Sequence, residues 1–433
     1  MSSPAVTSTR VLRTLLTDAP PHAIRLWDGS ASAPPAGQLP HFTIVLNHPG
    51  ALRRMLLPPD DLALGEAYVR GDFDIEGDIE SAIAAGEAAL AGRSKAELLL
   101  LARDLLRLPA SRPGASSAGL PVRARARLLG SRHSKRRDAA AVTYHYDVSD
   151  DFYALWLDRR MVYSCAYFPT GSEDLEAAQA AKLEHICRKL RLRPGERLLD
   201  VGCGWGGLVI YAAERFGVTA VGATVSPSQA AFAQRRIAEA GLSDRCRVLL
   251  RDYRDLADED AFDKVVSVGM FEHVGRAKLP GYFACLWRLL RPKGLLLNHG
   301  IGEGPRAGQR LLPSLLGRRS FVQTHVFPDG ELVPLSVTLA AAEASGFEAR
   351  DIEDLREHYA QTLRHWVRRL EARHDEATRF ASDGTYRTWR LYMAGSAHSF
   401  ATARLGLWQV LLARPDSAGA VALPPTRADL YAR

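Results

Sequence analysis

The residues with most chemistry to offer in this 433-residue chain stand at the ends of short apolar runs. Leu198-Leu199-Asp200-Val201 reads as a buried strand and leads straight into Gly202-Cys203-Gly204-Trp205-Gly206-Gly207, with helical sequence from Leu208 to Arg215. A strand, a glycine turn and a helix in that order make the first half of a βαβ nucleotide-binding unit. Glycine serves there because a side chain at the turn would block a ligand's approach to the backbone. The spacing is G-x-G-x-G-G with no Lys-Ser/Thr after it, which excludes a phosphate cradle of the P-loop kind. Thr224, Asp252, Tyr253, Glu272 and His299 end or follow later apolar runs. A glutamate at such an address is costly to bury without a partner. His299 reads either as a satisfied core histidine or as a ligand-holding group, and His273 reads as structural. Cys165 reads as packing rather than as a covalent nucleophile, since free cysteine is among the most buried residue types.

The elements that must position these residues follow in regular order. Val218–Ala223 is a second strand, and Ser226, Pro227 and Gln229 open the next helix as N-cap, first helical residue and the end of an S-x-x-Q capping box. Cys246–Leu250, Phe262–Gly269 and Gly294–His299 are three further strands, with a helix at Leu279–Leu290. Strands alternating with helices predict an α/β fold, Rossmann-like, with a mostly parallel doubly wound sheet covered on both faces. The ligand site then lies at the carboxyl ends of the strands. Gly302–Val333 is glycine-rich and basic and reads as a long lid-like loop, and Leu355–Phe380 and Tyr386–Leu412 read as two long helices.

Upstream, residues 1–20 read as frayed. Ala23–Leu26 and Phe42–Leu46 read as strands, Ala51–Leu57 as a short helix, and Leu62–Gly86 as helix, strand and helix. Ser94–Leu108 reads as a Leu-rich amphipathic helix. These pieces predict a small accessory α+β domain over residues 1–110, a basic linker over 111–138 and a catalytic domain over 139–433. Between Tyr144 and Phe168 aromatics are dense. Phe152, Leu155 and Trp156 fall at helical spacing and read as core, whereas the tyrosines do not. Leu175–Leu190 is a helix leading into the glycine-loop strand.

Composition is that of an ordinary globular protein, 47% apolar and 24% charged. No run of apolar residues is long enough to span a membrane, and the N-terminus lacks the order of a secretory signal. Five cysteines without a C-x-x-C pair exclude a disulfide framework or zinc site and fit a reducing cytoplasm. The net charge of +7 is concentrated: Arg123, Arg125, Arg127, Arg132, Lys135, Arg136 and Arg137 precede the first acid, Asp138. Such a run is either a solvated linker or a strip for an anionic membrane, where each cation contributes about 1 kcal/mol. No zinc knuckle or basic-aromatic module supports nucleic acid as the partner.

The glycine motif resembles that of S-adenosylmethionine (SAM)-dependent methyltransferases. Together, YHYDVSDDFYALWLD, YSCAYF, LLDVGCGWGG, GATVSPSQ, RDYRDL, FDKVVSVGMFEHVG and NHGIG resemble, in order and spacing, the cyclopropane-fatty-acyl-phospholipid synthases and mycolic acid methyltransferases. Leu62–Ile79 also looks like the N-terminal domain of the full-length bacterial synthases. The resemblance implies attack by a cis double bond of a phospholipid acyl chain on the SAM methyl group. Loss of a proton from the added methyl then closes a cyclopropane ring. It implies a bicarbonate ion as the base, held by Cys165, Glu272, His299, the backbone of Ile301, and Tyr359. It also implies SAM contacts from Tyr146, Tyr163, Ser164, Gly202, Gly204, Thr224, Gln229 and Tyr253, with no metal. The expected setting is cytoplasmic, peripheral to the inner face of an anionic membrane, with a homodimer left open. A rival within the class is a fatty-acyl methyltransferase giving a methyl-branched or methylene product. A rival outside it is a methyltransferase for a soluble small molecule or RNA.

Overall fold

The structure, a computed structural model, describes residues 3–90, 93–110, 126, 128–146, 148–257, 261–308 and 320–431. The chain divides into two compact units, the larger comprising Arg127–Ala307, Asp329–Trp366 and Ser399–Arg433. Its sheet has seven strands: β1 (Arg197–Val201), β2 (Thr219–Thr224), β3 (Cys246–Leu250), β4 (Phe262–Val268), β5 (Leu290–Glu303), β6 (Glu348–Asp354) and β7 (Leu405–Ala413). Their order is β6-β7-β5-β4-β1-β2-β3, and β7 alone runs against its neighbours.

Alternate residues on each strand feed opposite faces, as the period of two requires. Leu198 and Leu297 pack under α1 (Leu175–Lys189), α2 (Gly207–Phe216) and α3 (Pro227–Glu239), burying Ile186, Val209 and Ala233 with them. Leu199 and Leu296 face the other way, against Phe283, Leu286 and Leu289 of α4 (Leu279–Leu289) and Ala342 of α5 (Leu335–Ala344). The order in which strands are added reverses between the parallel β1 and β4, so the crevice at their carboxyl ends is the expected ligand site.

Three elements differ from the reading of the sequence. The strand expected at Gly294–His299 runs from Leu290 to Glu303, because pairing with β7 continues from Ala413↔Leu295 to Leu405↔Glu303. The end of the second expected long helix is itself β7: helix α7 (Asp383–Ala401) stops first, and LGLWQVLLA pairs into the sheet. An apolar run of that length suits a buried helix or a buried strand equally, and the sheet edge decides. The expected lid loop at Gly302–Val333 contains a short helix, Phe321–His325, while 309–319 lie outside the described residues.

The smaller unit comprises Met1–Ala126, Gly308–Pro328 and Val367–His398. Its first element corrects the expectation of a frayed start. Pro4–Leu15 is a helix capped by Ser3, and it buries Val11, Leu12 and Leu15. A four-stranded sheet follows in the order Ala31–Ser32, His22–Arg25, Phe42–Leu46, Phe73–Gly77. The unit also takes in two segments that a linear division at residues 110 and 138 assigns to the catalytic part. Specific polar contacts hold them: Arg390 donates to Tyr68 Oη (2.7 Å) and the Ile75 carbonyl (3.0 Å), Arg387 pairs with Asp74 (2.6 Å), and His325 meets Glu66 (3.1 Å). The Lys95–Leu106 helix forms with the Ser94–Glu97 capping box its sequence encodes. It buries Leu105, but four of its leucines face outward: Leu98, Leu99, Leu100 and Leu106 are exposed.

Candidate active site

The glycine loop is fixed by the strand beside it. Gly202 and Cys203 N–H groups both donate to the Ala223 carbonyl at the end of β2 (2.9 and 3.1 Å). Gly202 has φ +85°, and a Cβ there would sit 2.7 Å from Met270 Cβ, so only glycine fits. Gly204, at φ +53°, has open space where its Cβ would be, which leaves the backbone approachable.

At the end of β2, Thr224 Oγ1 donates to Gln229 Oε1 (3.0 Å) and accepts from the Ser226 N–H (3.2 Å). Ser226 accepts from the Gln229 N–H (3.4 Å), so half of the expected capping box forms. The other half is replaced, because the Gln229 side chain turns to Thr224. The Arg251 N–H donates to the Thr224 carbonyl (2.9 Å), which brings Asp252 and Tyr253 to the same edge. Tyr253 there meets Tyr282 edge-on at 5.5 Å.

A chain of aromatic contacts starts from the glycine loop. Trp205, held by its indole N–H to Asp150 (2.8 Å), meets Tyr146 edge-on at 5.7 Å. Tyr146 meets Tyr163 (6.1 Å), Tyr163 meets Trp366 (5.3 Å), and Trp366 meets Tyr359 (6.0 Å). Tyr359 and Trp366 lie on α6 (Arg356–Ala372). Phe152 and Trp156 are fully buried, as core residues at helical spacing should be.

The YSCAYF segment is clamped from two sides. Gln179 of α1 donates to the carbonyls of Ser164 (2.9 Å) and Val162 (3.3 Å). From α6, Thr362 Oγ1 accepts from the Ala166 N–H and His358 Nδ1 from the Phe168 N–H, both at 3.0 Å. Cys165 is thereby fully buried, with its sulfur 3.8 Å from the Leu355 carbonyl. Burial pushes its thiol far above the ordinary range, which removes it as a nucleophile. The Leu355 N–H donates to the Leu407 carbonyl (2.9 Å), and Leu407 stands opposite Ile301 in the β5–β7 ladder. The Tyr359 N–H donates to the Leu355 carbonyl (3.0 Å), so Cys165, Ile301 and Tyr359, distant in sequence, are joined through Leu355 and Leu407.

The polar end of the site is built on β5. His299 and Ile301, two residues apart, share one face. Glu272, in the 3-10 turn Phe271–His273 after β4, accepts the Ile301 N–H on Oε1 (2.6 Å). Of the Ile301 backbone, expected to help hold an ion, the N–H is therefore engaged in orienting Glu272. Gln409 stands directly opposite His299 in the ladder, its amide nitrogen 3.2 Å from Nδ1. With Gln409 donating, the ring proton resides on Nε2. That Nε2 and the second Glu272 oxygen, Oε2, are both buried without a hydrogen-bond partner among the described residues. Burial raises Glu272 to about 7 although the Ile301 N–H opposes the shift. Burial, with Lys182 and Lys189 nearby, drives His299 well below its ordinary range, so it is neutral. His273 has a structural place, its carbonyl receiving His133 Nδ1 at 3.2 Å.

Gln409 and Trp366 were not among the expected site residues. A lone glutamine inside LGLWQVLLA was the available signal for the first, hidden by the helical reading of that run.

A glycine loop after β1, with the strand order given above and β7 reversed, defines a SAM-dependent methyltransferase of class I fold. The family model described as mycolic acid cyclopropane synthetase matches residues 133–410, and a domain of unknown function matches residues 11–89. The chain belongs to the mycolic acid cyclopropane synthetase family. It is 40% identical over 411 residues to a probable fatty acid methyltransferase of Pseudomonas putida, covering 95% of this chain and 96% of that one. To the cyclopropane-fatty-acyl-phospholipid synthase of Escherichia coli K12 it is 38% identical, over 66% of this chain and 72% of that one. Among solved structures it is similar to the cyclopropane synthase MmaA2 of Mycobacterium tuberculosis. The TM-score is 0.60 and the identity 35%, over 64% of this chain and 98% of that one.

Proposed function

We propose that this enzyme transfers the SAM methyl group to the cis double bond of an unsaturated phospholipid acyl chain and closes a cyclopropane ring. The observation that carries this reading is a pair of buried groups without a hydrogen-bond partner among the described residues: an acceptor, Glu272 Oε2, and a donor, His299 Nε2. Leaving such groups unpaired costs about 1–3 kcal/mol each. The pair fits a small oxyanion that carries a proton of its own, since such an ion can donate to the carboxylate and accept from the imidazole. Bicarbonate meets that description, and bound there it would supply the base for the proton lost on ring closure. Glu272 and His299 would hold it, with Ile301 orienting Glu272 and Cys165 and Tyr359 bounding the space.

The aromatic chain supports the same chemistry. A cation formed on an acyl chain away from water needs electron-rich faces, each contributing about 2 kcal/mol when desolvated. Tyr163, Trp366 and Tyr359, joined by ring contacts, would offer them. At the other end, Gly202 and Gly204 would admit the methionine part of SAM, Thr224 and Gln229 would take the ribose, and Tyr253 would lie against adenine. Tyr146, Tyr163 and Ser164 would cover it.

Membrane contact would come from the smaller unit. The exposed Leu98, Leu99, Leu100 and Leu106, with the exposed Arg103 and Arg107, suit a peripheral docking helix. The basic strip contributes less than its composition implies. Arg123, Arg125 and Arg127 lie outside the described residues, while Arg132, Lys135 and Arg137 pair with Glu331, Asp255 and Asp329. We place the enzyme in the cytoplasm at the inner membrane face. One finding favours the methyl-branched product as a second reading: the near full-length match to a probable fatty acid methyltransferase.

Purified enzyme given methyl-labelled SAM and vesicles of cis-unsaturated phospholipid should label the lipid, and saturated vesicles should stay unlabelled. Ring-sensitive NMR of the product should find cyclopropane protons. Labelled lipid without a ring would replace this reading with the branched one. Labelling of a soluble acceptor instead of lipid would remove both.

A further inference from the structure

We propose that Lys182 is a positioning residue for the cofactor: acting through Ser164, it supplies the positive charge that receives the carboxylate at the methionine end of SAM. The proposal rests on the SAM reading of the crevice and adds a residue that neither the motif nor the fold assigns.

Lys182 is on α1, three residues after Gln179, so both side chains leave the same face of the helix. It is 1% exposed, and its Nζ donates to Ser164 Oγ at 2.8 Å. No carboxylate oxygen comes within 4.0 Å of Nζ among the described residues. That is unusual, because buried ammonium groups are ordinarily paired. The acids that act on it from further away are Asp158 and Asp200. Asp158 is already engaged by the N–H groups of Val162 (2.8 Å) and Arg160 (3.1 Å). The remaining neighbours, Cys165, Cys187 and His299, are neutral, each held so by burial. Desolvation accordingly lowers Lys182 to about 8 and raises Asp200 to about 7. An arriving anion would relieve the first of these shifts.

Ser164 lies where such an anion would meet it. Its Cβ is 4.0 Å from the place a Cβ on Gly269 would take, at the carboxyl end of β4. It therefore borders the crevice between β4 and β1. Because Ser164 Oγ accepts from the ammonium, its own hydroxyl proton is left to donate, strengthened by the charge behind it. Asp200 stands on β1, two residues before Gly202. The methionine end of SAM is a zwitterion, and Lys182–Ser164 with Asp200 offer it a positive and a negative partner around one loop.

The test compares SAM with decarboxylated SAM, which differ by that carboxylate alone, by calorimetry on the full-length protein without lipid. Wild type should prefer SAM. Lys182→Met should weaken SAM at least tenfold and decarboxylated SAM less than twofold, so that the preference collapses. Ser164→Ala should shift the preference in the same direction, and Lys182→Arg should retain most of it. Equal weakening of both ligands by Lys182→Met, or of neither, overturns the proposal. If Lys182→Met does not fold, Ser164→Ala decides: an unchanged preference for SAM overturns it. Wild type binding neither ligand would instead remove the SAM reading itself.

Discussion

The two ends of the crevice are built on opposite principles. At the glycine-loop end the groups that shape the loop are already matched, Thr224 with Gln229 and the Gly202 and Cys203 N–H groups with Ala223, while Lys182 behind Ser164 has no carboxylate partner among the described residues. At the β5 end, Glu272 and His299 are each held by one partner and left with one buried atom unmatched. A matched edge keeps its shape whether or not a ligand is present and reads the ligand through backbone and shape. An unmatched pair is less stable alone and is completed by a guest. On the proposed reading, the first end serves a cofactor that must come and go and the second would take a small ion that takes part in the chemistry.

Substitutions can break that contrast. The largest effect is expected for Glu272→Gln, which should lower turnover about 10²-fold or more while leaving binding of S-adenosylhomocysteine within twofold. The same group sets a pH dependence. Its folded-state pKa is raised from 4.5 to about 7, so its contribution to stability is present below about 4.5 and lost as pH rises through about 7. The carboxylate form accumulates over that window. Wild-type turnover should rise through about pH 7, and the Glu272→Gln profile should lack that limb.

Gly202→Ala should do the reverse. It places a Cβ 2.7 Å from Met270 on a backbone at φ +85°, a strain of about 1–3 kcal/mol. S-adenosylhomocysteine affinity should fall about tenfold or more, measured by calorimetry. Gln409→Leu sharpens the contrast from the other end. Loss of the donor to His299 Nδ1 should cut turnover about tenfold, in line with about 1–3 kcal/mol for a buried unpaired group, with cofactor affinity unchanged. The smallest effects concern the smaller unit. Leu99→Asp should weaken vesicle association by about tenfold, given about 1.5–3 kcal/mol for burying a leucine. Raising salt should weaken it only modestly, because Arg132, Lys135 and Arg137 already have acidic partners.

The glycine-loop end was legible in the sequence because strand, turn and helix are local and each carries its own signal. Glu272 drew attention as a residue just past a strand, and His299 as the end of one, although that strand continues to Glu303. Gln409 was not, since its relevance depends on LGLWQVLLA being a strand set opposite β5, a pairing between residues 110 positions apart. That the Ile301 N–H faces Glu272 was not legible for a related reason: it is a matter of register. In the smaller unit, local signals found most of the strands and helices but missed the Pro4–Leu15 helix, and gave no sign that Gly308–Pro328 and Val367–His398 belong with them. Buried arginines such as Arg390, reaching Tyr68 from far along the chain, leave no local pattern.

The central claim is that Glu272 and His299 hold a small oxyanion that serves as the base. Turnover on cis-unsaturated phospholipid vesicles should therefore be measured in carbonate-free buffer and again as bicarbonate is added back. Wild type should lose most of its rate and recover it saturably, and Glu272→Gln should stay slow throughout. A wild-type rate indifferent to bicarbonate would contradict the account.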